Sequence, residues 1–524
     1  MKPISWKSEW LPLVRQHAGR VAVSDARGDV TYADLYAAAA GMAARLLACG
    51  VAPGEPVATM LPNGREAVAA SLAAALVGAA EAPINPAFAA AEARHCLTLV
   101  GARLLLTSSA LDTGFAGAGT ETIIVEDIAP AAFESLPDIR VDPGTWGRIM
   151  FTSGTTGRPK GIVHSHGGRW IANILQRATM PVAAAPGRRI LLMTPYAHGA
   201  SLLTQAFLDG GGSVLLLGGV EPDTVGRVLR AGEVDQIFAP PTVLSRLVEI
   251  VEGEEIAGIA TIFTGTAPLS TELYARARAI FGPVVRVTFG KTEVFNPITV
   301  LTPAETDRWY DDPRSRSSIC VGWPASGVEV AIGIEEAPVP ESPTGEAPPD
   351  QPRVGPVLIR AQHMLIATLT EEGVREQAPG EFHRTGDLGF VDAEGRLHLV
   401  GREADVIKTG GYRVTPEEIE AQLRPALPGG EIVVVGLPSS YWGEVIAAAV
   451  AGAPAGWEEA LAPAIETMTR FKRPRILAAV PAIPRNPLGK IARARVRDAI
   501  LDRYRLIDGR YPRLEEREVE DSTD

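Results

Sequence analysis

Lysine is nearly missing from this chain. Of its 50 basic residues, only Lys2, Lys7, Lys160, Lys291, Lys408, Lys472 and Lys490 are lysine, so 43 are arginine. Arginine therefore carries solubility and generic ion pairing, and each remaining compact ammonium marks a place where a point charge differs in use from a guanidinium fork. Cysteine is also sparse. Cys49, Cys96 and Cys320 lie far apart with no paired spacing, which argues against a cysteine metal site and fits a reducing cytoplasm. An excess of positive charge is absent: the formal charge is −12 over 524 residues, which excludes a basic face that covers nucleic acid and a polybasic lipid-binding segment. Any phosphate must then be held by local groups. Long apolar runs are absent too. The stretch Ala67–Ala80 is mostly alanine and too short to span a bilayer, so it predicts a buried helix. Residues Met1 to Trp10 mix Lys2, Lys7 and Glu9 with Trp6 and Trp10, unlike a secretory signal, and a cytoplasmic location is expected. There is no internal repeat, no Gly-x-Ser-x-Gly elbow and no dinucleotide fingerprint.

What is present reads as α/β. The length predicts roughly three to four domain-sized units. Apolar residues recur at helical spacing from Tyr32 to Leu47 after Thr31, a candidate N-cap, and strand patterns occur at Val57–Leu61, Arg103–Thr107, Arg189–Thr194, Ser213–Leu217 and Gln236–Ala239. Helix-length amphipathic stretches separate them, which predicts mostly parallel sheets. Prolines at 338, 340, 343, 348, 349 and 352 predict an exposed loop over Ala337–Pro352. The pattern restarts after Gly401, with strands at Glu431–Gly436 and Val445–Ala451, so residues 1–401 and 402–513 are read as separate domains, followed by an acidic, frayed tail over 514–524.

The strongest chemical signal runs from Ile149 to Gly161: an apolar strand enters a loop of Thr152, Ser153, Gly154, Thr155, Thr156 and Gly157, then Arg158, Pro159 and Lys160. Backbone N–H groups, hydroxyls and one ammonium suit a phosphate chain. Pro159 before the lysine rules out a Walker loop. The segment Thr152–Gly161 resembles the phosphate-binding loop of the adenylate-forming superfamily, and further motifs of that family follow in order over about residues 30 to 500. Thr264 to Ser270 resembles the adenine-side turn, with Gly265, Thr266 and Ala267. Thr288 to Glu293 resembles the aromatic-Gly-x-Thr-Glu motif. There the resemblance implies Phe289 on adenine, Gly290 in the turn, Thr292 at the α-phosphate and Glu293 on magnesium. Thr385-Gly386-Asp387 matches the motif whose aspartate accepts the ribose hydroxyls, and Arg402 the ribose-contacting arginine at the interdomain joint. Lys408 to Glu420 resembles the segment lining the thioester-forming site, with Gly410 and Gly411 allowing a narrow pantetheine tunnel or a plain turn. Asn486 to Arg493 carries the catalytic Lys490.

The resemblance implies a large N-terminal domain of stacked α/β subdomains plus a β-barrel-like subdomain, and a small mobile α+β C-terminal domain. It implies an acyl-CoA ligase that uses ATP, magnesium and coenzyme A, releases AMP and pyrophosphate, and passes an acyl-adenylate to the thiol. The partners are then a carboxylic acid and coenzyme A, without nucleic acid or membrane span, in a homodimer. Lys490 would bridge the attacking carboxylate and the α-phosphate, two anions that must be neutralised before they approach. His198 falls on the family's gate beside the acyl carboxylate, and the pocket is expected from Tyr196, Phe238, Thr264 and their neighbours. Three departures from the family pattern stand out. Ala404 replaces the hinge Asp or Lys, Phe382 replaces a common tryptophan, and Lys291 fills a position often uncharged, where it could meet a second acidic group on the substrate or simply be neutralised by Glu293 or phosphate. His164 and His166 do not make a convincing metal pair. Transfer to a carrier protein, a single half-reaction and a non-catalytic nucleotide sensor remain rivals.

Overall fold

The structure, a computed structural model, describes residues 1–524 except 118, 154–157, 266, 317, 334–352, 411, 453–454, 486–489 and 518–524. The proline-rich loop, Gly154–Gly157, Thr266 and Gly411 therefore lie outside the described residues. The chain forms two compact units, one of Met1–Asp311, Val321–Glu329 and Arg360–Phe382, the other of Asp312–Cys320, Val330–Ile359 and His383–Asp524.

The first unit holds two large sheets. In one, Val285–Thr288, Thr261–Gly265, Gln236–Phe238, Arg189–Leu192, Ser213–Leu216 and Val21–Asp25 run parallel in that spatial order, and Gly28–Thr31 closes the edge antiparallel. Its central strands are buried on both faces, which is why they read as continuous apolar runs. In the other, Glu121–Ile124, Leu104–Thr107, Pro56–Met60, Ala80–Pro83 and Trp146–Ser153 are parallel neighbours. From there Pro159–Ser165, Ala367–Thr370 and Gly373–Glu376 continue antiparallel. The phosphate-loop segment is thus the hairpin connection where the parallel half of this sheet changes to the antiparallel half.

The helices follow their sequence signals. Tyr32–Ala48 starts where the Thr31 hydroxyl accepts the Asp34 amide at 3.2 Å. Arg65–Leu76 is buried at every position from Ala67 onward. A helix apolar all round belongs in a core, and alanine lets its neighbours approach closely. Among the described residues no helix is long and apolar enough to cross a membrane.

In the second unit, His383–Val391 and Leu397–Arg402 form an antiparallel pair. A further sheet orders Tyr412–Val414, Ile407–Thr409, Gly443–Ala451 and Glu431–Ser439, with Ile476–Ala479 parallel beside Gly443–Ala451. Helices Pro416–Leu423, Trp457–Thr467 and Arg493–Arg503 accompany it. The expected frayed tail is corrected at its start: Arg513–Glu516 pairs with Tyr504–Ile507, and Leu514 packs on the local core, so its apolar contact outweighs the flanking carboxylates.

Candidate active site

Thr152, the penultimate residue of the strand Trp146–Ser153, has its hydroxyl oxygen buried and without a partner among the described residues. An orphaned hydroxyl at this point is a donor left for a ligand. Lys160 sits opposite it across the hairpin, and its Nζ lies 3.5 Å from Glu293 Oε1. Two motifs 133 residues apart thus share one ion pair.

A second contact locks them. His164, on the same strand as Lys160, donates from Nε2 to the Thr292 carbonyl at 2.7 Å and stacks on Phe295 with ring centroids 3.8 Å apart. Leu365 N–H donates to the Glu293 carbonyl at 2.7 Å, so the Thr292–Glu293 turn is held from two sides. Phe289 is buried in that turn. Glu293 offers a hard oxygen donor, which fits magnesium if phosphate oxygens and water complete its shell. Among the described residues no group of three or more His, Cys, Asp or Glu gathers as a cation cage. Gly265 pairs with Thr288, and a Cβ there would stand 2.3 Å from the Thr288 carbonyl oxygen, so only glycine allows the two strands this approach. The Thr264 hydroxyl is buried without a partner among the described residues, and Ala267 follows in a bend.

His198 lies in a one-turn π-helix, Tyr196–Ala200, with φ −121° and ψ −137°. Its carbonyl accepts from Ser201 Oγ at 2.7 Å, and Ser201 Oγ in turn accepts from Arg148 Nη2 at 2.9 Å. Arg148 also holds Glu81 at 2.6 Å, both being at most 2% exposed. The histidine turn is therefore braced by a buried ion pair on the strand that leads into the phosphate loop.

A small cavity, partly open to solvent, is lined by Gln176, Leu203, Phe238, Phe263, Arg286, Thr288, Asn296, Pro297 and Thr299. Of the stretches expected to line the acyl pocket, 196–205 contributes Leu203 and 238–243 contributes Phe238. Tyr196 packs in the core, where burial pushes its phenol well above the ordinary range, and neither Thr264 nor Lys291 is part of the lining.

In the second unit Asp387 and Arg402 stand opposite each other on paired strands, with Arg402 Nε 2.8 Å from Asp387 Oδ1. Asp387 is buried, and its amide donates to Thr385 Oγ1 at 3.1 Å. Gly410 has φ +55°, and a Cβ there would meet the Trp442 ring at 3.1 Å. It joins Ile407–Thr409 to Tyr412–Val414, so the hairpin turn alone accounts for glycine here. Lys408 has an exposed side chain, while its amide donates to Glu444 Oε2 at 2.7 Å. Lys490 follows 486–489 in a loop closed by the Arg485–Ile491 bridge and by Ala492 N–H donating to the Pro484 carbonyl at 2.9 Å. Arg493 anchors that loop through Glu417, Glu420, Asp405 and the Val434 carbonyl. Ala404 is exposed within the turn Glu403–Asp405, and Phe382 is covered by the Arg360 guanidinium at 4.4 Å.

His164 lies at the tail of the phosphate-loop motif, whereas the cavity-lining Arg286, Asn296 and Gln176 lie outside the motifs. Two left a sequence signal, since a histidine in Gly161-Ile162-Val163-His164 and an arginine in Val285-Arg286-Val287 interrupt buried strands. His166 acts structurally: Trp6 Nε1 donates to its Nδ1 and its Nε2 donates to the Gly78 carbonyl, both at 3.0 Å, a pattern only the neutral ring satisfies.

Burial pushes both His164 and His166 down to about 3. Their contribution to stability is complete above an ordinary histidine value near 6.5 and is lost as pH falls toward 3, at up to about 1.4 kcal/mol per pH unit for each ring. Asp209, pushed up to about 6 by burial, works the other way between about 6 and 3.8 and offsets roughly one ring. His363, also lowered by burial, adds to the loss. Urea unfolding is therefore expected to show declining stability from pH 6.5 to 4.5, with a shallower slope in the His164→Gln/His166→Gln double variant; equal slopes would contradict the assignment.

The AMP-binding enzyme family matches residues 13–364. A long-chain-fatty-acid–CoA ligase of Mycobacterium tuberculosis (strain CDC 1551 / Oshkosh) is 30% identical over 490 residues, 90% of this chain and 93% of its own. A feruloyl-CoA synthase of an Amycolatopsis species is 30% identical over 481 residues, with 89% and 93% covered. Among solved structures, the o-succinylbenzoate CoA synthetase of Bacillus subtilis in complex with its acyl-adenylate intermediate is similar at TM-score 0.77 and 25% identity, over 95% of this chain and 99% of that one. The ordered motifs, the Lys160–Glu293 pairing and a match over most of its length make this chain a member of the AMP-binding enzyme family, the adenylate-forming enzymes.

Proposed function

We propose that the protein is an AMP-forming acyl-CoA ligase, which adenylates a carboxylic acid with ATP and transfers the acyl group to coenzyme A. The observation that carries this reading is the Lys160–Glu293 pair, with His164 bonded to the Thr292 carbonyl beside it in sequence. It sets an ammonium and a carboxylate side by side, the first for phosphate oxygens and the second for the magnesium that accompanies them. Thr152 and the 154–157 backbone donate to the polyphosphate, Phe289 and the Gly265–Ala267 turn take adenine, and Thr292 meets the α-phosphate. Asp387 accepts the ribose hydroxyls, with Arg402 beside it.

Lys490 neutralises the approach of two anions, the acid and the α-phosphate, and His198 flanks the acyl carboxylate. Lys408, Gly410 and Gly411 serve the thiol-transfer step. Residues 402–513 form the small domain that carries these last groups, and a cytoplasmic homodimer is the proposed setting. The names of the relatives support coenzyme A as acceptor.

The test is a screen of carboxylic acids for acid-dependent pyrophosphate release, followed by thioester formation on coenzyme A or on a phosphopantetheinyl carrier protein. AMP, pyrophosphate and acyl-CoA in equal amounts are expected. ATP binding without acid-dependent pyrophosphate release, or transfer to the carrier protein alone, would overturn the reading.

A further inference from the structure

Arg286 is an anomaly in this pocket. It stands in the middle of the parallel strand Val285–Thr288, is 1% exposed, and lines the cavity with Phe238, Phe263 and Leu203. Its Nε donates to the Leu301 carbonyl at 3.0 Å and its guanidinium carbon lies 5.6 Å from the Phe263 ring centre. Its Nη1 is buried with no hydrogen-bond partner, and among the described residues no carboxylate lies within ion-pair distance of it. Arg148, as deeply buried elsewhere in the same unit, has Glu81 and two serines. A buried cation without a counter-ion is costly, and chains that keep one generally supply the missing charge from elsewhere.

Beyond its bond to the Leu301 carbonyl, Arg286 leaves a donor unused at the cavity, whose lining it shares with Asn296; among the described residues the Asn296 Oδ1 is also buried without a partner. Arg286 and Thr288 lie on one face of the strand, two residues apart, so the guanidinium sits roughly 7 Å deeper than the Thr288 rung. The strand then runs directly into Phe289 and the nucleotide motif, which sets the reacting end of the acid near Thr288 and its other end near Arg286. Burial pushes the Arg286 guanidinium down to about 10, with Glu305 working against that shift, and it remains charged at neutral pH.

We infer that the acid this pocket accepts is a dicarboxylate, whose second, non-reacting carboxylate is received by Arg286. The inference rests on the ligase reading and names the substrate class of that same site. Arg286 offers a planar fork able to take both carboxylate oxygens, and Lys291 is not part of this cavity's lining.

The experiment compares straight-chain diacids of four to ten carbons with monoacids of the same length and with oxo-acids ending in a methyl ketone. Acid-dependent pyrophosphate release is measured for the wild-type protein, Arg286→Met and Arg286→Lys. The best diacid is expected to exceed its monoacid by at least ~10²-fold in kcat/KM, because a site built around a polar partner rejects the analogue that lacks it. The oxo-acid should fall between them. Arg286→Met should reverse the preference, and Arg286→Lys should recover only part of it. Equal or better use of monoacids by the wild-type protein, or of oxo-acids over diacids, would defeat the inference and leave the ligase reading intact. No pyrophosphate release with any acid of the three series would count against the ligase reading itself. The wild-type comparison decides the matter even if Arg286→Met does not fold.

Discussion

Lys490→Ala is expected to lower acid-dependent ATP–pyrophosphate exchange by roughly 10²- to 10³-fold, the usual loss when one preorganised charge contact to a developing anion is removed. The barrier in adenylation is electrostatic. A carboxylate must close on an α-phosphate that repels it, and in the role proposed for Lys490 an ammonium bridging them would lower the energy of the approach more than that of the separated reactants. Once the acyl-adenylate exists that repulsion is gone, so the thioester step with a supplied acyl-adenylate should fall far less. Arg485 and Ile491 pair with each other, and Arg493 is held by Glu417 and Glu420. Melting curves of the variant and the wild-type protein separate a folding loss from a catalytic one. Equal losses in both half-reactions with an unchanged melting curve would remove Lys490 from the adenylation step.

The largest stability effect is expected at the Glu81–Arg148 pair. Both side chains are at most 2% exposed and 2.6 Å apart, so removing either leaves an uncompensated charge in the core. Arg148→Met or Glu81→Leu alone should cost about 3–5 kcal/mol in urea unfolding, while the double variant should cost less than either single one, because burying neither charge avoids the desolvation penalty. Exposed pairs such as Arg27–Glu66 are worth at most about 1 kcal/mol each by comparison. Arg148 also bonds Ser201, whose hydroxyl holds the His198 carbonyl. Arg148→Met should thus lower kcat even below its unfolding transition, and additive single and double costs would refute the pairing.

Much of the local structure was legible in residue order. Thr31 followed by a helical apolar period predicted Tyr32–Ala48, the alanine run predicted a buried helix, and the apolar runs at 189–194, 213–217 and 236–239 became central parallel strands. These are short-range signals, set by side-chain period and capping chemistry. The strand at 513–516 is not legible in residue order, because its carboxylates mask a pairing that depends on Tyr504–Ile507 lying alongside it.

By itself the sequence determined the element types, the family motifs in their order, and the scarcity of lysine that made Lys160, Lys408 and Lys490 stand out. Only the tertiary structure decided which of those groups meet: Lys160 with Glu293, His164 with Thr292, Arg148 with Glu81, and a cavity reached by Phe238 and Arg286 but not by Tyr196 or Lys291. The reason is physical. Periodicity says which face of a strand is buried, whereas a side chain's partner depends on strand order and register across more than a hundred residues. The charge balance of a buried site, such as the unmatched guanidinium of Arg286, exists only once those distant segments exclude water together.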